Sequence, residues 1–353
     1  EKAIEKSVEK MMVADVEVGC FLSGGIDSSL IVAMMTKINK SPIKTYTIGF
    51  DEERYDESHH AKSVADHLGT EHSCENLKVD DLLDLLPVFL SEYDEPFFDS
   101  AAFPTLAVSK LASQSIKVNL TGDGGDELFG GYHYYRIAKS LNPFFQLPEA
   151  LRSSLSSFLG MIPQHQMQLV SKAIAQKNSA RSFAFTRSIA KDFRQILGNE
   201  ILDKTNGLLD LFDKESKRYP SRIHPAEQAM RLDAKFTMND DYLQKTDVAT
   251  MAFSLEARAP LLSRSVIEWA MQLPIAWKVR LFNNKYLLRK LSYRYIPQKI
   301  MDRPKRGFGV PIDEWLRNQL NDWASIRIND KEYYKNLPLD QSAVINLFKL
   351  HKS

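Results

Sequence analysis

"CFLSGGIDSSLIVAMM", Cys20 to Met35, sets two glycines, three serines and one aspartate between two apolar runs. Upstream, Val16, Val18, Cys20, Phe21 and Leu22 read as a short buried strand; downstream, Leu30, Ile31, Ala33, Met34 and Ile38 recur at helical spacing. The glycines therefore mark a strand-to-helix turn, where free backbone N–H groups and the positive end of a helix dipole point outward and favour an anion. Gly24 and Gly25 let the backbone approach a ligand closely, and the hydroxyls of Ser23, Ser28 and Ser29 can donate to phosphate oxygens. The loop carries Asp27 and no lysine, unlike a GxxxxGK[ST] loop built for γ-phosphate transfer.

The same alternation continues outward from this turn. "IKTYTIGF" (43–50) reads as a second strand, "DESHHAKSVADHLG" (56–69) as a helix ending in glycine, and "TEHSCENL" as a third strand. Two helices, "DDLLDLLPVFL" and "AAFPTLAVSKLASQ", precede a fourth strand, "SIKVNLTG". Strands separated by helices predict an α/β fold with a parallel, doubly wound sheet covered on both faces. From 136 onward the pattern turns helical, with few strand signals, as in "AEQAMRLDAKFTMNDDYLQK". The expected division is thus an α/β core over 1–135 and a mostly helical lobe over 136–353 that completes the substrate site.

The whole-chain properties narrow the chemistry. A net charge of +1 over 353 residues does not provide the clustered positive charge that tracking a nucleic-acid backbone needs, so no nucleic-acid partner is expected. No apolar run reaches the roughly 18 residues of a membrane span and no signal peptide opens the sequence, so a cytoplasmic protein without a membrane partner is expected. Cys20 and Cys74, the only cysteines, read as core thiols rather than a disulfide or a metal site. The chain opens at Glu1 directly in an amphipathic helix, so a further segment of a longer polypeptide is expected upstream.

A second loop completes the candidate site. "VNLTGDGGDELFGGY" (118–132) also follows a buried strand, and loops after the strands of a parallel sheet gather at one edge, where ligands bind. Asp123, Asp126 and Glu127 then stand at the same edge as the phosphate cradle. Acids beside phosphates repel unless a cation lies between, which implies magnesium held by Asp27 and Asp126 with phosphate oxygens and water. A cradle of this kind suits pyrophosphate as a leaving group, with attack falling on the α phosphorus.

"SGGIDSS" resembles the pyrophosphate loop of N-type ATP pyrophosphatases. Together with "DEPFFDSAAFP", "LTGDGGDELFGGY", "SLEARAPLL", "KYLLRK" and "RPKRGFGVP", in that order, it makes residues 8 to 318 similar to the synthetase domain of class B, glutamine-hydrolysing asparagine synthetases. The resemblance implies that ATP activates a side-chain carboxylate, by default that of aspartate, as an acyl adenylate, and that ammonia then displaces AMP to give an amide. It assigns Ser23, Gly24, Gly25, Asp27, Ser28 and Ser29 to pyrophosphate, Leu22, Ile48, Gly49 and Gly122 to the adenosine side, and Asp27 and Asp126 to magnesium. Lys285 would lie against the phosphates during adenylation, and Asp123, Glu256 and Arg258 are the remaining catalytic candidates, the last two as ready to pair with each other as to touch substrate. Arg303, Lys305 and Arg306 read either as a surface basic patch or as part of a turn folding back on the site. A glutaminase domain upstream would supply ammonia, and a homodimer is allowed for.

This chain departs from the family pattern at two positions. Asparagine synthetases often read S-G-E-G-[SA]-D-E where this chain has the shorter Asp123, and Val248 stands where many members carry lysine or arginine. Both departures leave the ATP half intact and bear on the acyl substrate, for which a sugar uronic acid is the alternative to aspartate.

Overall fold

A computed structural model describes residues 1–187, 196–197, 207–220, 222–280, 283–302 and 309–352. Two compact units emerge, one formed by 1–131 with 234–312 and the other by 132–233 with 313–353. The chain leaves the first unit near the expected boundary at 135, but residues 234–312 return to it and supply a strand.

The first unit is built on five parallel strands in the order β3-β2-β1-β4-β5: β1 Val18–Phe21, β2 Lys44–Gly49, β3 Glu71–Asn76, β4 Val118–Leu120 and β5 Glu256–Arg258. The α/β class and the first four strands match the sequence reading. β5 does not, because three residues flanked by helical periodicity carry no alternation of their own, and pairing with β4 makes them a strand.

Helices cover both faces. α1 (Lys2–Met11), α2 (Ile26–Ile38) and α3 (Ser58–Leu68) pack with Cys20, Val118 and Leu120 into the main core. α2 is buried continuously from Ser28 to Met35, which explains its run of apolar residues on every side. Ahead of β4 come α4 (Val79–Glu92) and α5 (Ala102–Ser113), and after it α6 (Gly125–Phe129). The returning segment adds α7 (Gln244–Met251), α8 (Arg264–Gln272) and α9 (Tyr286–Ser292). α5 packs on β2 and on α7, which in turn packs on β5, so these two helices cover the face opposite the main core.

The second unit is helical where described. Helices Glu149–Gly160 and His165–Ile174 pack closely, with Leu141, Ala173 and Ile174 buried among Phe144, Phe145, Leu155, Leu159 and Val170. Tyr134 and Tyr135 both donate to the buried Asp233, at 2.6 and 2.5 Å. No helix among the described residues is long and apolar enough to cross a membrane.

The cysteines divide. Cys20 is buried in β1, and burial pushes its thiol well above the ordinary range. Cys74, expected in the core, is exposed on the edge strand β3, five of whose six residues are exposed.

Candidate active site

Strand order reverses at β1, with β2 on one side and β4 on the other. In a parallel sheet this is where the crevice opens beyond the carboxyl ends of the strands. The two glycine-rich loops leave β1 and β4 and therefore stand on either side of it.

The first loop is braced from within. The Ser23 and Ser28 hydroxyls lie 3.0 Å apart, Ser28 Oγ accepts from the Ser23 N–H at 3.2 Å, and Ser23 Oγ accepts from the Gly25 N–H at 3.2 Å. Gly24 is in the left-handed region at φ +70°, and a Cβ there would fall 2.8 Å from the Ala61 nitrogen at the start of α3. Gly25 caps α2 without any side-chain hydrogen bond, so the N–H groups of its first turn keep their capacity for an anion. Ser29 Oγ is buried and has no hydrogen-bond partner among the described residues.

The second loop is packed on the first. A Cβ on Gly122 would lie 2.8 Å from the Ser28 nitrogen, so only glycine lets the two backbones approach in this way. The approach carries Asp126, in the first turn of α6, toward Asp27 in the first turn of α2.

Lys285 joins them. Its ammonium forms ion pairs with Asp27 Oδ2 and, at 2.8 Å, with Asp126 Oδ1. The lysine is 4% exposed and holds a left-handed backbone at φ +49° as the N-cap of α9, an uncommon conformation for a side chain of this size. Burial alone would lower its pKa, but Asp126 and Asp27 outweigh that effect and hold it above the ordinary lysine value. Two carboxylates that converge on one cation, beside an uncapped helix N-terminus, fit the magnesium ion expected from the sequence. That ion takes one or two carboxylates together with substrate phosphates rather than an all-protein cage.

Leu22, Ile48 and Gly49 lie at the same edge. The Leu22 N–H donates to Tyr46 O at 2.9 Å, and Thr47 Oγ1 donates to Leu22 O. Ile48 is buried, and Gly49 ends β2 with its carbonyl accepting from Leu77 N–H at 2.9 Å.

Next to these loops is a cavity of about 350 Å³ lined by Thr121, Asp123, Leu243, Gln244, Thr246, Asp247, Ala257 and Ala259. Thr121 Oγ1 donates to Asp123 Oδ2 at 2.8 Å. Burial pushes the Asp123 carboxyl above the ordinary range, against the lowering effects of that hydroxyl and of Lys245. Lys245 is itself paired with Asp99, whose other oxygen accepts from the Ala101 N–H at 2.9 Å. Residues 243–247 were not singled out from sequence, because their nearness to the loop after β4 comes from the returning segment.

Of the two roles that the sequence leaves open to Glu256 and Arg258, the structure shows the pairing one. Arg258 pairs with Glu256 through Nε at 2.8 Å and Nη2 at 3.2 Å, and its Nη1 donates to Met11 O at 2.7 Å and Val13 O at 2.9 Å. Alternation along β5 and the residue after it turns Ala257 and Ala259 to the cavity, while Arg258 fastens the end of α1. Glu127 is buried and not an open member of the acidic edge. Arg303, Lys305 and Arg306 lie outside the described residues.

Comparison with known proteins places this geometry among relatives. A family model described as "Asparagine synthase" matches residues 1–353. The chain is 34% identical over 332 residues to "Asparagine synthetase [glutamine-hydrolyzing] 1" of Bacillus subtilis, covering 94% of this chain and 52% of that protein. It is 35% identical over 337 residues to "Putative asparagine synthetase [glutamine-hydrolyzing]" of Mycobacterium tuberculosis, covering 93% of this chain and 50% of the other. A more distant relative, "Amidase chyE" of Penicillium rubens, is 26% identical over 356 residues, covering 89% of this chain and 52% of that one. The chain spans about half the length of these relatives.

Proposed function

Because this chain belongs to the asparagine synthase family, we propose that it is the ATP-dependent, amide-forming part of a carbon–nitrogen ligase. It adenylates the side-chain carboxylate of aspartate with loss of pyrophosphate, and ammonia then displaces AMP to give asparagine. The observation that carries this reading is the Asp27–Lys285–Asp126 cluster at the N-terminus of α2, between two glycine loops at the point where strand order reverses.

Each residue has a physical task. Ser23, Gly24, Gly25, Ser28 and Ser29 bind the departing pyrophosphate through backbone N–H groups and hydroxyls, with the α2 dipole behind them. Leu22, Ile48, Gly49 and Gly122 line the adenosine side. Asp27 and Asp126 would hold magnesium, which when bound offsets phosphate charge. Lys285 exchanges its carboxylate partners for phosphate oxygens as charge develops on them, and this differential contact lowers the barrier. The acid substrate occupies the cavity beside Thr121, Asp123 and Asp247, where two carboxyl groups suit an ammonium-bearing acid.

Ammonia is supplied by a glutaminase segment elsewhere on the polypeptide or on a partner, in keeping with the glutamine-hydrolysing names of the relatives. The protein is taken to act in the cytoplasm, and a homodimer suits this reading. A second reading, amidation of a larger acid such as a sugar uronic acid, is favoured by the short Asp123 side chain beside a cavity of about 350 Å³. The test is pyrophosphate exchange into ATP with magnesium and each acid, followed by amide formation from ammonium or glutamine. Exchange with aspartate, and amide from ammonium alone, are expected. Exchange with the uronic acid and none with aspartate would move the assignment to the second reading, and exchange with no acid would end both.

A further inference from the structure

Lys285 meets Asp27 and Asp126 from a backbone at φ +49°, a left-handed conformation that a side chain of this size keeps only where its surroundings over-determine it. Two consecutive glycines supply those surroundings. Gly130 and Gly131 follow α6, and both their N–H groups donate to Asp126 O at 2.9 Å. Their carbonyls are taken in turn by two consecutive residues of the returning segment. Gly130 O accepts from the Lys285 N–H at 3.4 Å, and Gly131 O accepts from Asn284 Nδ2 at 2.7 Å. A Cβ on Gly131 would collide with Asp126 Oδ1 and with Lys285 Cε, so this backbone lies directly against the ion pair.

The two bonds of this clamp are unequal. At 3.4 Å the Lys285 N–H bond is longer than the usual N–H···O range, whereas the Asn284 bond has ordinary length. Asn284 is the firm half. Its Oδ1 is buried without a hydrogen-bond partner among the described residues, a cost to the fold, so the donor is the part of the carboxamide that this position uses.

We propose that Asn284 is a positioning residue for adenylation: it ties Lys285 to the backbone that carries Asp126 and keeps the ammonium at the phosphate cradle while that ammonium changes partners. The inference rests on the ligase reading above. With Asp27 and Asp126 engaged, the ion pairs themselves hold the lysine in place. Once the ammonium turns to phosphate oxygens those pairs are given up, and the clamp on Gly130 and Gly131 fixes where the lysine stands. Asn284 therefore matters more to the transition state than to ATP binding.

The experiment compares wild type with Asn284→Leu, which keeps the volume and removes the donor, and with Asn284→Gln, which keeps a carboxamide on a longer arm. Asn284→Leu is also combined with Lys285→Ala. Pyrophosphate exchange is measured with magnesium, ATP and either L-aspartate or galacturonate, whichever acid wild type uses. In Asn284→Leu kcat should fall about 10- to 100-fold, as for a catalytic group displaced by about 1 Å, with KM for ATP near the wild-type value. Asn284→Gln should recover part of the loss. On the Lys285→Ala background the leucine change should lower kcat by no further factor, since no ammonium is left to place. The same factor with and without the lysine would make Asn284 a packing residue and overturn the proposal. So would a lower melting temperature with unchanged kcat per folded molecule, or a rise in KM for ATP alone. Should the leucine variant not fold, Asn284→Ala carries the same comparison. If no acid elicits exchange, the ligase reading fails by itself. Denaturant midpoints of Asn284→Leu, Lys285→Ala and the double variant then decide the proposal separately: a combined shift smaller than the sum of the two upholds it, and additive shifts overturn it.

Discussion

A Cβ on Gly122 would stand 2.8 Å from the backbone nitrogen of Ser28, so the two loops of the site are held together by the absence of a side chain. Gly122→Ala must push the loops apart or shift α2. We expect a loss of about 1–3 kcal/mol in stability and a larger proportional fall in pyrophosphate exchange, because Asp126 withdraws from Asp27. Thermal melts and exchange rates on the same preparation check this; full activity in the variant would mean that the contact does not set the site.

Lys285→Ala leaves the carboxylates of Asp27 and Asp126 facing each other without their cation. The expected loss of stability is about 3 kcal/mol near neutral pH, diminishing in acid as the carboxylates take up protons. The wild-type lysine has a folded pKa above the ordinary 10.5. Its contribution is therefore complete below pH 10.5 and lost as pH climbs through the folded value. Denaturant midpoints from pH 5 to 11 should show a flat wild-type contribution that declines only at the alkaline end. Turnover should fall by on the order of 10²-fold, with ATP binding less affected.

Asp27→Asn and Asp126→Asn each remove a hard oxygen ligand and one partner of Lys285. Both should lose pyrophosphate release at every magnesium concentration while keeping the native circular-dichroism spectrum. Full turnover at saturating magnesium in either variant would separate that aspartate from the metal.

Arg258→Ala tests the occupation assigned to that side chain. It releases Met11 O, Val13 O and the Glu256 carboxylate, and should lower stability by about 1–3 kcal/mol. Per folded molecule, kcat should remain near wild type. A large fall in kcat with an unchanged melting temperature would return Arg258 to the chemistry.

The parts of this site that were legible in the sequence are those in which local chemistry is self-declaring. "SGGIDSS" and "TGDGGDE" combine glycine, acid and strand-to-helix patterning within a few residues, and the sheet edge they share follows from parallel topology. Lys285 was legible only through "KYLLRK"; a lysine on a helix face announces nothing by itself, and its left-handed backbone and two aspartates appear only in three dimensions. Glu256 and Arg258 were ambiguous because charged pairs two apart on a strand serve a fold as readily as a substrate.

β5 has a consequence for the order in which this protein comes into being. Its partner β4 is synthesised first, and the whole stretch 132–233 is made before Glu256 can pair with Val118. At translation rates of about 5–20 residues per second, roughly ten seconds pass with β4 as an open edge whose backbone groups invite a wrong partner. Both glycine loops exist throughout that interval, but Lys285 and the wall formed by 243–247 do not. A ribosome-bound intermediate would thus own the anion cradle with its acids uncompensated, and the last stretch of the sheet-bearing unit to emerge would turn a repulsive pair of aspartates into a working cluster.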